Sequence, residues 1–346
     1  MIWTKPHQKS LQHLIRWTIL GLLGVFAGCV VANWVDSELP YSRVIDPRPI
    51  PKFEIPATTP RAQYLQFEAV GDFGTGAGGQ RDVAESMARI ASRDSISFVL
   101  VLGDNFYESG VESVNDKQWQ TAFEDVYDQP GLNVPFYAVL GNHDYRTNPQ
   151  AQVEYTRISN RWRMPDRYYS FVRAIDDTTK AEFFCLDTNP LANLSLSEAK
   201  TLSDTGMEVR QLHWLDRQLA QSKARWKIVL GHHPLYSGGE HGDNETLQYL
   251  LEPLFTKYRV DFYLCGHDHD LELLKPIHGV TYVVSGAGGK HRDVRWRENT
   301  QFAATNLGFV FFRISDNDGV VEFLSRSGEL EYAATVHKNS NETKEM

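Results

Sequence analysis

At 346 residues, with 42% hydrophobic and 23% charged side chains, the chain has the composition of a globular protein long enough for one large domain or two small ones. A formal charge of -9, with no block of Lys and Arg in its body to neutralise phosphates, argues against a nucleic-acid partner. Three cysteines, Cys29, Cys185 and Cys265, exclude a disulfide framework. Cys185 and Cys265 lie in apolar runs and read as buried strand thiols, with a bridge between them the lesser alternative.

Residues 1–35 read as a signal peptide or a membrane anchor. Lys5, Lys9 and Arg16 precede an uncharged stretch from Trp17 to Val35, and Asp36 and Glu38 follow it. Such a stretch is just sufficient to span a bilayer as a helix, and the basic flank predicts a cytoplasmic N-terminus with everything beyond Asp36 outside. The expected location of the folded part is therefore extracytoplasmic: periplasmic, secreted or membrane-anchored, with membrane contact only through this segment. Residues 36–62 carry Pro40, Pro47, Pro49, Pro51, Pro56 and Pro60, a density that prevents helix and predicts an extended linker.

From residue 63 to 337 short apolar runs alternate with amphipathic segments, an α/β rhythm. Strands are expected at Tyr64–Val70, Ser97–Leu102 and Val134–Leu140, with amphipathic segments at Val83–Ser92 and Trp119–Val126 between them. Further strands are expected at Phe183–Leu186, Lys227–Leu230, Val260–Leu264, Thr281–Val284 and Phe309–Ile314, with a helix over Glu208–Gln221. Residues 338–346 form a polar tail.

Five of these runs end in a glycine beside a residue able to hold a metal. In chain order they are Gly71-Asp72, Gly103-Asp104-Asn105-Phe106-Tyr107, Gly141-Asn142-His143-Asp144, Gly231-His232-His233-Pro234 and Gly266-His267-Asp268-His269. Alone, any one is an ordinary turn, since Gly-Asp and Gly-Asn are loop signals. In an α/β sheet, however, the loops beyond the carboxyl ends of strands converge on one edge, so five in series can meet in space. Gly74-Thr75-Gly76-Ala77-Gly78-Gly79 lacks the Lys-Ser/Thr of a phosphate-binding P-loop and reads as an active-site rim.

The series resembles the metallophosphoesterases, and Tyr107 narrows the resemblance to the purple acid phosphatases, with Gly103–Tyr107, Gly231–Gly242 and Cys265–Leu271 most similar to the small tartrate-resistant, mammalian-type branch. The resemblance covers residues 65 to 315. It implies a four-layer αββα sandwich with two mixed β-sheets. It implies a first metal held by Asp72, Asp104, Tyr107 and His269, and a second held by Asp104, Asn142, His232 and His267. Asp104 bridges, because one carboxylate can hold two cations and offset their repulsion. The phenolate of Tyr107 marks the first ion as Fe(III), while the imidazoles and carboxamide of the second site suit a divalent Fe, Zn or Mn.

The activity implied is acid hydrolysis of phosphate monoesters by a metal-bound hydroxide. His143 is the expected proton donor to the leaving group, with Asp144 as its orienting partner and His241 as a second substrate-binding histidine. Expected substrates are small phosphomonoesters, phosphoproteins or nucleotides. The rival readings are a nucleotide phosphodiesterase with the same dimetal centre and a non-catalytic surface protein that binds metal or phosphate. Asn105 is expected to hold a neighbouring carboxylate or carbonyl. Two positions depart from the family: His233 stands where it usually has an aromatic residue, and Asp270 where the small branch often has Asn.

Overall fold

The structure is a computed structural model and describes residues 64–202 and 206–338. The hydrophobic segment 17–35, the proline-rich linker and the polar tail beyond residue 338 lie outside the described residues. Among the described residues no helix is long and apolar enough to cross a membrane.

The chain runs β1 (Leu65–Val70), α1 (Gly78–Asp94), β2 (Phe98–Val101), a π-helical turn (Trp119–Glu124), β3 (Phe136–Ala138), α2 (Pro149–Tyr155), β4 (Trp162–Arg163), β5 (Tyr169–Ala174) and β6 (Lys180–Cys185). It continues through α3 (Asn189–Ala192), α4 (Leu196–Ala199), α5 (Met207–Gln221), β7 (Trp226–Leu230), α6 (Glu245–Tyr258), β8 (Phe262–Cys265), β9 (Leu271–Leu274), β10 (Thr281–Ser285), β11 (Thr300–Ala304), β12 (Gly308–Ile314), β13 (Asp318–Ser325) and β14 (Leu330–His337). The strands form two seven-stranded mixed sheets, in the orders β14-β13-β12-β1-β2-β3-β4 and β11-β9-β10-β8-β7-β6-β5. Parallel pairing of β1 with β2 and of β2 with β3, and of β6, β7, β8 and β10 in turn, points their carboxyl ends the same way within each sheet.

Alternation along the strands builds the layers. In the second sheet, Phe183, Ile228, Leu230, Phe262 and Leu264 join the core shared with the first sheet. Their neighbours Phe184, Val229, Tyr263 and Cys265 pack instead with Leu215 and Leu219 of α5 and Leu247, Leu251 and Phe255 of α6. The centre between the sheets is aromatic. Phe67 stacks on Phe98 at 5.0 Å and on Phe312 at 4.8 Å, and meets the edge of Phe183 at 5.4 Å. Cys185 and Cys265 are buried free thiols, so no bridge joins them.

Since Phe67 faces the opposing sheet, its neighbour Glu68 faces the other side of β1. There it is fully buried, neither carboxylate oxygen has a hydrogen-bond partner, and the Tyr127 hydroxyl is likewise unpaired. Burial first, and then Asp94, pushes the Glu68 carboxyl well above its usual 4.5. In the unfolded chain it loses its proton near the ordinary value, so above that pH unfolding releases a proton and stability falls by up to about 1.4 kcal/mol per pH unit. Glu68→Val is expected to stabilise the fold at pH 7 by about 1–3 kcal/mol and to flatten this slope. Denaturant titrations from pH 4 to 8 check it; a valine variant less stable at pH 7 would refute the account.

Candidate metal centre

Asp72, Asp104 and Asn142 follow the carboxyl ends of β1, β2 and β3, which are neighbours in the first sheet. His232 follows β7, and His267 and His269 follow β8, neighbours in the second sheet. The motifs thus meet across two sheet edges rather than along one. Close approach is what the glycines permit. Gly103 has φ 89° and a Cβ on it would lie 2.6 Å from His232 Nδ1, while a Cβ on Gly141 would lie 2.2 Å from Asp104 Oδ1. Asp72, Asp104 and His267 themselves take φ of 56°, 51° and 71°, left-handed backbone that costs about 1–3 kcal/mol each and aims their side chains inward.

The donors gather in two groups around Asp104. On one side the Tyr107 hydroxyl oxygen lies 2.9 Å from Asp72 Oδ1, 3.0 Å from Asp104 Oδ2 and 3.2 Å from His269 Nε2, with His269 Nε2 3.5 Å from Asp72 Oδ1. A phenol has one proton, so it cannot satisfy both carboxylates. On the other side His232 Nε2 lies 3.1 Å from Asn142 Oδ1, 3.1 Å from His267 Nδ1 and 3.4 Å from Asp104 Oδ1. His232 Nδ1 is 2.9 Å from the Leu102 carbonyl and carries its proton there, leaving Nε2 as a lone pair facing another oxygen lone pair. Acceptors that outnumber the protons available to join them fit cations at both places. The chemistry of the two groups differs: two carboxylates, a phenol and an imidazole against a carboxylate, a carboxamide and two imidazoles.

Electrostatics agree. Burial, followed by the neighbouring Asp72 and Asp104, drives the Tyr107 phenol far up, and burial drives the Asp72 carboxyl well up despite His232 beside it. Burial, then His232, holds His267 well below the usual imidazole range, and burial with Arg292 brings His269 down to about 4. In the protein alone, negative charge on Tyr107 and Asp72 is costly, and His267 and His269 favour the neutral form, the state in which they can ligate.

His143 lies at the rim of both groups. Its backbone N–H donates to Asp104 Oδ1 at 2.8 Å, its ring sits 4.6 Å from that of Tyr107, and its Nε2 is 3.9 Å from Asp104 Oδ2. Asp144 does not orient it. The Asp144 carboxylate is fully buried, accepting from the backbone of Gly141 and Asn105 and from Gln152, while His143 Nδ1 is 2.8 Å from the Glu108 carbonyl. Adjacent residues in a tight turn point to different sides, and Asp144 uses its side to tie the loop of Asn142 to that of Asp104. Burial, then Asp104, lifts its pKa to about 8. Asn105 holds the Val139 carbonyl and Gln152 through Nδ2. The His241 ring stacks on His267 at 4.1 Å, and its backbone N–H donates to Asp268 Oδ1.

Several rim residues escape the motif pattern. Arg146 Nη2 is 3.1 Å from His143 Nε2, Arg292 Nη1 is 3.2 Å from His241 Nε2, and Lys290 Nζ lies 3.7 Å above the Tyr107 ring and 2.7 Å from Glu108. No regular spacing announces them, because each sits in a loop and acts through a long flexible stem. Asp270 is fully buried, and burial followed by Glu272 pushes its pKa well up, favouring the neutral acid over the carboxylate. Gly78 and Gly79 open α1 instead of lying in a loose rim.

Two facing mixed sheets that deliver a paired donor cradle at their strand ends define a dimetal phosphoesterase. Residues 67–271 match the model of the calcineurin-like phosphoesterase family. The chain is 37% identical over 289 residues to human (Homo sapiens) tartrate-resistant acid phosphatase type 5, covering 77% of this chain and 88% of that protein. It is 33% identical over 282 residues to purple acid phosphatase 4 of Arabidopsis thaliana, covering 76% and 81%. Among solved structures it is similar to GAP50, the anchor in the inner membrane complex of Plasmodium, with TM-score 0.71, 25% identity and coverage of 81% and 90%. The chain belongs to the purple acid phosphatases, within the calcineurin-like phosphoesterases.

Proposed function

We propose that the chain is a dinuclear acid phosphatase that hydrolyses phosphate monoesters. Asp104 carries this reading: its Oδ2 faces the Asp72, Tyr107 and His269 group, and its Oδ1 faces His232 beside Asn142 and His267. A carboxylate divided in this way would suit two ions: with Asp72, Tyr107 and His269 it would hold a first, for which the phenol favours Fe(III), and with Asn142, His232 and His267 a second, a divalent Fe, Zn or Mn. When bound, the pair supplies Lewis acidity toward water and the phosphoryl oxygens.

The protein's own groups do the rest. His143 protonates the leaving oxygen from Nε2, while its Nδ1–H donates to the Glu108 carbonyl and steadies the imidazolium. His241, held by Asp268 and stacked on His267, positions the phosphoryl group. Tyr107 favours monoesters over the diesterase alternative, whose related families generally lack a tyrosine at this place. Fold alone does not confer activity, so the weight rests on the donor set. The stretch 17–35 supports an extracytoplasmic location.

Purified protein is expected to hydrolyse an aryl phosphate at pH 5, to contain two metal equivalents including iron, and to show a tyrosinate-to-iron absorption band. An active, colourless, iron-free preparation would reduce the reading to a more general metallophosphoesterase, and absence of turnover would remove the enzyme.

A further inference from the structure

His233, the departure noted in the sequence, is buried at 6% exposure with its ring 4.5 Å from that of His267 and 4.9 Å from that of His232. One ring nitrogen of each of these three histidines lies within 4.8 Å of the others, so a third imidazole ligand to the second ion is the first reading. Hydrogen bookkeeping opposes it. Thr188, just beyond β6 and fully buried, has its hydroxyl oxygen 3.1 Å from the backbone N–H of His232, 3.1 Å from that of His233 and 3.0 Å from His233 Nδ1.

A hydroxyl oxygen has two lone pairs and one proton. The two backbone N–H groups occupy the lone pairs, so the proton goes to His233 Nδ1. The ring proton of His233 then sits on Nε2. Ligation through Nε2 would require the proton on Nδ1, facing an oxygen with no lone pair left; ligation through Nδ1 would require displacing Thr188. Neither nitrogen is free to hold a metal. What remains is an Nε2–H with no hydrogen-bond partner among the described residues, carried by a ring packed on two histidines of the second metal group.

We propose that His233 is a substrate-binding residue that donates this Nε2–H to an oxygen of the phosphoryl group, on the side of the second ion. The proposal rests on the assignment of His232 and His267 to that ion. An aromatic hydrocarbon in this place supplies the same wall; the imidazole adds a fixed donor, held in one tautomer by Thr188, and so favours a tetrahedral oxyanion over water.

The test is calorimetric binding of inorganic phosphate to the metal-loaded enzyme, with metal content measured on the same samples. His233→Phe keeps the ring and removes the donor, and is expected to weaken phosphate binding about tenfold, since hydrogen bonds to charged groups are the strong ones. Both metal equivalents should remain. KM for an aryl phosphate should rise by a similar factor, with kcat within about twofold. His233→Gln, whose amide N–H reaches the place of Nε2, should bring binding back to within about threefold of the unmutated protein. Unchanged phosphate binding in His233→Phe overturns the proposal. Loss of one metal equivalent overturns it in favour of ligation, and failure of His233→Gln to rescue overturns it in favour of packing. If the phenylalanine ring prevents folding, His233→Leu asks the same question at similar volume. A wild-type protein that binds phosphate with these dependences but turns over no ester would leave this inference standing and remove the proposed activity.

Discussion

Asp104→Ala is expected to abolish phosphatase activity by at least about 10⁴-fold, because each ion contributes several kcal/mol of transition-state stabilisation and both depend on this carboxylate. Among the contacts of its oxygens, those to Tyr107 at 3.0 Å and to His232 at 3.4 Å belong to different donor groups, so no other side chain substitutes for it. Loss of either group's other members should be less severe: His269→Ala removes a donor from one group and leaves Asn142, His232 and His267 together. Metal removal supplies an independent readout. Ions bind the folded chain and not the unfolded one, so a chelator should lower the thermal midpoint of the unmutated protein substantially. Asp104→Ala, already without its ions, should melt at the same temperature with or without chelator. If the variant keeps both metal equivalents and more than a tenth of the activity, the bridging role is wrong.

The candidate donors were readable because most obey a local rule, an apolar run, a glycine, then a donor, with Tyr107 and His269 a few residues further along the same motifs. Such a rule needs no knowledge of strand pairing. Which sheet each strand joins is a long-range matter, and the sequence pattern places all five motifs on one edge when three come from β1, β2 and β3 and two from β7 and β8. The same limit hides β4, only two residues long and paired with β3, while β5 and β14 are edge strands, paired with their chain neighbours and mostly half-buried, so no apolar run announces them. Helix α6 was hidden by Pro253 in its interior, although Asn244 accepts from the Leu247 N–H and caps its start. Asp144 illustrates a different failure. Adjacency to His143 in sequence suggested contact, whereas the turn sends the two side chains apart and gives His143 a backbone carbonyl instead. Thr188 and Arg146 have no motif at all; only coordinates reveal that one fixes a tautomer and the other faces a histidine.

His143→Ala is expected to lower kcat about 10²–10⁴-fold on an alkyl phosphate, whose leaving oxygen needs a proton, and much less on an activated aryl phosphate, which leaves readily as an anion. The pH profile should separate this from general damage. Burial, outweighing the opposing pull of Asp104, holds His143 below its usual 6.5, and Arg146 and Lys290 lower it further. A donor must be protonated, so the active fraction falls as pH rises through that depressed value, and alkyl phosphate turnover should decline on the acidic side of 6.5. Deleting the ring should erase that limb. Arg146→Ala takes away a guanidinium 3.1 Å from Nε2, so the imidazolium becomes easier to form and the limb should move to higher pH. Asp144→Asn, by contrast, should leave the limb where it is, since Asp144 does not touch the ring, and should act on stability through the loops it ties. Equal losses of alkyl and aryl phosphate turnover in His143→Ala, with the limb intact, would take the proton-donor role away from His143 and leave it as a wall of the Tyr107 pocket.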